Sequence, residues 1–197
     1  MHEVSVGDYA FVSDCQSAAL MRDGSVDWYC PERFDSPSVF ARLLDEGGGH
    51  WSIRPEGPFG AERSYLEGTM VLRTVFRTPR GRVALTDALA FGEGERGHEI
   101  GMRSPHVLLR RVEGLEGEVE LALEFVPRLE YGLTQPLVLP TAGGGAAVVR
   151  GGPVELRLVS GRPLDVVETA ATTRFTVRSG ETADFALLYR RAIAGGD

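Results

Sequence analysis

The sequence predicts an all-β fold: two antiparallel sheets packed as a sandwich, with one short helix near the N-terminus. Three observations carry this prediction. Apolar residues recur with a period of two from Trp51 onward, 25 Gly and 11 Pro among 197 residues punctuate almost every junction, and no long helical period occurs anywhere.

The elements follow in order. Tyr9–Val12 and Ser17–Met21 are short, mostly apolar segments. Arg22-Asp23-Gly24-Ser25 then carries the Asp-Gly signal of a tight hairpin, where glycine accepts positive φ without steric cost. Val26–Cys30 alternates, which puts Val26, Trp28 and Cys30 on one buried face and Asp27 on the solvent side. Pro31 ends it. The helix is expected over Pro37–Asp45: Ser36 suits the N-cap, Pro37 the first helical position and Gly47 the close, while Val39, Phe40, Leu43 and Leu44 form one apolar stripe. Beyond it the strands are expected at His50–Arg54, Thr69–Thr78, Arg82–Ala90, His106–Glu113, Glu118–Val126, Leu137–Leu139, Ala146–Arg150, Val154–Ser160, Asp165–Glu168, Thr173–Arg178 and Ala183–Tyr189. Arg77–Gly81 and Glu113–Gly117 read as hairpin links, and Gly92–Ser104 and Gly143–Gly145 as surface excursions. No internal repeat is found, and residues 1–197 read as a single domain.

Composition excludes several classes of partner. With 43% hydrophobic and 25% charged residues the chain can bury a core. Its net charge of −7 argues against nucleic acid and against an anionic membrane, both of which need a positive face. All 21 basic residues are arginine, which carries the same charge as lysine at a solvated surface. No apolar run approaches the roughly 20 residues of a membrane span. The opening Met1-His2-Glu3 is no basic-then-apolar leader, so a cytoplasmic protein is expected. Cys15 and Cys30 lie on neighbouring expected strands, where a bridge is geometrically conceivable, and the favoured reading is two reduced and partly buried thiols. His2, His50, His98 and His106 have no metal-ligand spacing, so no metal is indicated.

One stretch, DYAFVSDCQSAALMRDGSVDWYCPERFDSPSVFARLLD, resembles the opening of the bacterial glucoamylase and trehalase group, glycoside hydrolase family fifteen. The likeness continues in SYLEGTMVLRTVFRTPRGRVALTDALAF, in HVLLRRVEGLEGEVELALEFVPRLEYG and, more faintly, up to ADFALLYR. The resemblance implies an N-terminal β-supersandwich accessory domain, joined by a linker to an α/α-barrel catalytic domain of the same parent protein that hydrolyses α-glucosidic bonds. It implies no cofactor, since two carboxyl groups and water suffice for that chemistry. The family's catalytic glutamates lie in the barrel, and no residue here matches them. The chain alone is therefore expected to be inactive, and its Ala-Gly-Gly-Asp ending reads as a cut. Trehalose, maltose and longer α-glucans all stay open as the parent substrate. Homo-oligomerisation stays open too.

The residues singled out for a site are Arg33, Phe34, Asp35 and Ser36, a rigid corner beside Pro37, together with Trp28. The corner is expected to border the sugar pocket or pack on the missing barrel, with Trp28, Tyr29 and Trp51 as an aromatic surface for an α-glucoside ligand. The rival reading places Trp28 and Trp51 in the core and Phe34 at the sandwich edge. Asp14, Asp23, Asp27 and Asp35 cluster in sequence, but local chemistry accounts for them: Asp23 as a turn residue, Asp35 ahead of a helix N-terminus. Gly92–Gly97 fits a dinucleotide pattern only formally, because it precedes no helix and its glutamates would repel a pyrophosphate. Two alternatives to the accessory reading are a stand-alone carbohydrate-binding module and an assembly domain without hydrolysis.

Overall fold

The computed structural model describes residues 5–191. The opening Met-His-Glu and the closing Ala-Gly-Gly-Asp, on which the leader and fragment expectations rest, lie outside the described residues. Fifteen strands follow in order: β1 (Ala10–Ser13), β2 (Ala18–Arg22), β3 (Ser25–Cys30), β4 (Phe40–Ala41), β5 (His50–Pro55), β6 (Gly60–Tyr65), β7 (Leu72–Thr78), β8 (Gly81–Leu89), β9 (Val107–Val126), β10 (Leu137–Pro140), β11 (Ala146–Gly151), β12 (Val154–Ser160), β13 (Asp165–Val167), β14 (Ala170–Arg178) and β15 (Thr182–Arg191). All pairings are antiparallel. One sheet runs β1-β2-β3-β5-β9-β14-β13 with β4 beside β3. The other runs β6-β7-β8-β9-β15-β12-β11-β10. The all-β antiparallel architecture is as the sequence predicts. No helix among the described residues is long and apolar enough to cross a membrane.

Strand β9 belongs to both sheets and corrects an expectation. Glu113–Gly117 is not a hairpin link: the strand runs unbroken for 20 residues. Its first part pairs β8 and β15, and its second part pairs β5 and β14. Inward residues are even-numbered from Leu108 to Gly114 and odd-numbered from Val119 to Phe125. The phase changes at the corner, where β8 opposite carries a register shift between Arg82 and Val83. Glycine is required there for approach, not for a turn. A Cβ on Gly114 would overlap the Arg178 carbonyl, and one on Gly117, at φ 64, would overlap that of Arg80.

The predicted hairpin is present, with Arg22 paired to Ser25 across Asp23 (φ 47) and Gly24 (φ 76), the two positive φ values of a type I′ turn. The predicted helix over Pro37–Asp45 is absent. Phe40–Ala41 instead forms β4 against Trp28 and Tyr29, and Val39 N–H donates to Tyr29 O (2.9 Å) and Leu43 N–H to Asp27 O (3.2 Å). A helix this short needs outside support, and the buried residues Val39, Phe40 and Ala41 find more in edge pairing with β3. The helical residues that are described form two 3₁₀ turns, Val6–Asp8 and Gly97–Glu99. The stretch Gly60–Tyr65, which is not among the strands expected from sequence, is the edge strand β6; every residue in it is exposed, so no apolar alternation marks it.

The core lies between the sheets. Trp51 and Phe40 both meet the ring of Phe125 edge-on, at 6.1 and 5.8 Å. One ion pair sits in this core. Arg110, fully buried on β9, donates from Nε to Asp87 on β8 (2.8 Å), from Nη1 to Trp51 O and from Nη2 to Gly24 O (2.8 Å each). Its guanidinium also lies 4.8 Å from the Trp51 ring centre. A single side chain thus clasps β8 and β9 of one sheet to β5 and the β2–β3 turn of the other.

Candidate functional site

The Arg33–Ser36 corner is a β-turn between β3 and β4, closed by Ser36 N–H donating to Arg33 O (3.0 Å). Pro31 is buried and fixes where the chain leaves β3. Arg33 Nε holds Asp35 Oδ1 at 2.9 Å, both side chains largely in solvent. That hydrogen bond holds the Asp35 carboxyl below the usual carboxylate range, and Asp35 serves no helix. Phe34 is 54% exposed and stacks on Phe11 with ring centres 6.4 Å apart. The corner therefore presents a charged fork and an aromatic ring on a short, pinned loop.

Trp28 joins it, but not as the alternation predicts. Val26 and Cys30 are buried and Trp28 is half-buried, whereas Asp27 and Tyr29 are wholly buried. The expectation that Asp27 faces solvent is overturned because the side chains of Arg42, Ser25 and Tyr9 close over its carboxylate on the outer face of β3. Tyr29 is enclosed and offers no surface to a sugar; burial pushes its hydroxyl well above the ordinary tyrosine value. Trp51 is core, as the rival reading has it.

The surface around the corner is completed by residues distant in sequence. The ring of Trp28 lies 5.9 Å from that of Tyr131. Tyr131 belongs to a loop in which Glu130, Tyr131 and Gly132 all have positive φ (53, 60 and 90). That loop docks on the far side of the corner through Arg128 N–H to Val39 O (3.0 Å) and Tyr131 N–H to Ser38 O (3.4 Å). Glu32 accepts from Tyr189 Oη and Arg191 Nε, both at 3.1 Å, tying the corner to β15. A hollow of about 430 Å³ opens here, lined by Glu32, Pro37, Glu130, Pro153, Tyr189 and Arg191. Burial, and then Glu32, raise the Tyr189 hydroxyl. None of Glu32, Glu130, Tyr131, Tyr189 or Arg191 is singled out by the sequence. Nothing local marks them, since 157 residues separate Glu32 from Tyr189.

Chemically the arrangement can bind and position. A glycosidic general acid needs a carboxyl held neutral by its surroundings, and Asp35 is pulled the opposite way by Arg33. The other clustered carboxylates are committed to structure. Asp14 accepts from Gln16 and Ser17 backbone N–H (3.0 and 2.6 Å) and from the Ser17 and Ser104 hydroxyls. Asp27 accepts from Ser25, Arg42 and Tyr9. Asp23 is the turn residue it was expected to be. Cys15 is exposed and Cys30 buried, and no bond joins them.

The family model described as "Trehalase-like, N-terminal" matches residues 2–170. Among curated relatives, the chain is 38% identical over 143 residues to a trehalase of Mycolicibacterium smegmatis, covering 64% of this chain and 20% of that protein. Trehalase of Mycobacterium tuberculosis is 37% identical over 140 residues, with coverage of 64% and 20%. Trehalase 1 of Sulfolobus acidocaldarius is 32% identical over 177 residues, 88% of this chain and 28% of that protein. The chain thus spans between a fifth and just over a quarter of these relatives.

Proposed function

Since the chain belongs to the trehalase-like N-terminal family, we propose that it is the non-catalytic β-domain of an α-glucoside hydrolase of glycoside hydrolase family fifteen, with trehalose as the parent substrate. In this reading it braces an α/α-barrel catalytic domain, and the Arg33–Ser36 corner, with Trp28 and Tyr131 behind it, borders the sugar pocket. The observation that carries the reading is the coverage: proteins named trehalases match this chain with only 20–28% of their length. The greater part of each such polypeptide lies outside the match and has room for the acid and base. The corner supports a binding role, because its one carboxylate, Asp35, is held deprotonated by Arg33. Hydrolysis with inversion needs two carboxyl groups roughly 6.5–9.5 Å apart, one of them protonated.

The experiment is glucose release from trehalose, maltose and a longer α-glucan, by this chain alone and by a longer polypeptide that carries it before a catalytic barrel. No release from the chain and release from trehalose by the longer protein is the expected pair of results. Release by the chain alone overturns the accessory role. Millimolar or tighter trehalose affinity of the isolated chain, with no gain from the barrel, supports a carbohydrate-binding module instead.

A further inference from the structure

Away from the corner, the outer face of the first sheet holds a pocket of about 340 Å³ whose polar lining is Tyr9, Arg22, Asp27, Arg42, Glu46 and Arg54. Its charges do not balance. Asp27 is saturated by Arg42 (Nε at 2.9 Å and Nη2 at 2.6 Å), by the Ser25 hydroxyl (2.6 Å) and by Tyr9 Oη (3.0 Å). That accounts for one carboxylate and one cation. Among the described residues neither Arg22 nor Arg54 has an ion-pair partner, although Arg42 beside them does. Arg54 spends Nε on Asp23 O (2.7 Å) and Nη2 on Arg22 O (3.1 Å), bonds that fix its direction without compensating its charge. The guanidinium of Arg22 lies 5.6 Å over the Tyr9 ring, and its buried Nε has no hydrogen-bond partner at all. Burial and then the Arg42 charge push Arg54 below the ordinary arginine value, against the opposing pull of the Asp27 and Asp23 carboxylates, yet a guanidinium stays protonated at any physiological pH. The remaining anion in the lining, Glu46, is exposed at the mouth.

We propose that this pocket is a binding site for a small oxyanion of the phosphate class, held between the Arg22 and Arg54 guanidiniums against the wall formed by Tyr9. Partly buried cations without a counter-charge are costly, and an oxyanion removes that cost. The planar donor fork of arginine matches phosphate oxygens two at a time. A water molecule claims roughly 30 Å³ of liquid volume, so 340 Å³ admits a tetrahedral oxyanion with part of its hydration shell. The chain's net charge of −7 repels extended polyanions and leaves a small one as the ligand that fits.

The test is titration of the 197-residue chain with inorganic phosphate at neutral pH, with ionic strength held constant by sodium chloride, read by calorimetry and by thermal melting. Saturable one-site heat and a phosphate-dependent rise in Tm are expected. Arg22→Gln is expected to weaken binding about tenfold or more, the loss of one charge-assisted contact. Its Tm in chloride is expected to change little, because the guanidinium has no ion-pair partner among the described residues and its removal gives up only the contact with the Tyr9 ring. Glu46→Gln, at the exposed mouth, is expected to bind phosphate more tightly than the parent chain. Absence of saturable binding, equal stabilisation by chloride, or Arg22→Gln binding phosphate as well as the parent would each overturn the proposal.

Discussion

Two arginine–aspartate pairs of nearly the same geometry stand at opposite ends of the exposure scale. Arg110 meets Asp87 at 2.8 Å with both side chains sealed in the core, and Arg33 meets Asp35 at 2.9 Å with side chains 67% and 73% exposed. The first pair joins the two sheets through four contacts on β8, β5 and the β2–β3 turn; the second joins a loop only to itself. Water decides the difference. A solvated pair contributes about 0–1 kcal/mol, whereas breaking a buried one strands a charge and costs about 3–5 kcal/mol. The corner residues are therefore not explained by stability, which makes them, and not Arg110, the candidates for a pocket rim.

The largest effect is expected from breaking the buried side of this comparison. Arg110→Met should lower the unfolding free energy by about 3–5 kcal/mol, because Asp87 and the carbonyls of Trp51 and Gly24 lose their donor together. Urea melts report it directly. The double variant Arg110→Met with Asp87→Leu should recover part of the loss, since an apolar pair of similar volume leaves no buried charge. A single variant within about 1 kcal/mol of the parent would mean that water reaches the clasp.

Gly24 sharpens the same point through the backbone. It sits at φ 76, and an added Cβ would overlap the Ile53 carbonyl and crowd the ring of Phe76. Gly24→Ala is expected to cost about 1–3 kcal/mol from conformational strain, less than Arg110→Met. A loss also appearing in Ser36→Gly at the corner would show that loop rigidity, not core approach, is being measured.

Titration separates the two regions by pH. Tyr9 is pushed up to about 12, first by burial and then by Asp27, and burial raises Tyr29 further. A group whose folded affinity for its proton is raised contributes stability that is complete below its unfolded value, about 10 for tyrosine, and is lost as pH rises through the folded value. Urea midpoints should therefore fall between about pH 10 and 12, and fall less steeply in Tyr9→Phe. Asp35 has the opposite sign: Arg33 lowers it, so its small contribution is present above the unfolded value near 3.9 and lost on acidification. Arg33→Ala should leave the alkaline limb untouched.

How much of this was legible depended on how far apart the partners lie. The Arg22–Ser25 hairpin is written in adjacent residues, and β12, Val154–Ser160, shows its period of two without help from neighbours. The Pro37–Asp45 segment carries every local helix signal, yet its backbone donors are taken by Tyr29 and Asp27 of a strand that local reasoning leaves out of account. At the β9 corner the Gly114–Gly117 pair looks like a turn because glycine's other use, room for the Arg178 and Arg80 carbonyls, shows only in three dimensions. The site divides the same way. Arg33, Phe34, Asp35 and Ser36 are contiguous and were readable, whereas Tyr131, from the 130–132 loop, and Tyr189 and Arg191, from β15, reach the corner from two other places in the chain.

The smallest effect on stability is also the most informative about function. Arg33→Ala removes one exposed ion pair, so the urea midpoint should stay essentially that of the parent chain. The Arg33–Ser36 turn itself is closed by a backbone hydrogen bond that the substitution leaves in place. In a longer polypeptide that carries this domain before a catalytic barrel, the same change should lower kcat/KM for trehalose, because the fork it removes has no other work in the fold. Phe34→Ala should act alike through its exposed ring, with Phe11 left behind as the floor. Unchanged trehalose turnover in both variants, at unchanged stability, would remove the corner from the pocket and leave the hollow beside Glu32 and Tyr189 as the next place to test.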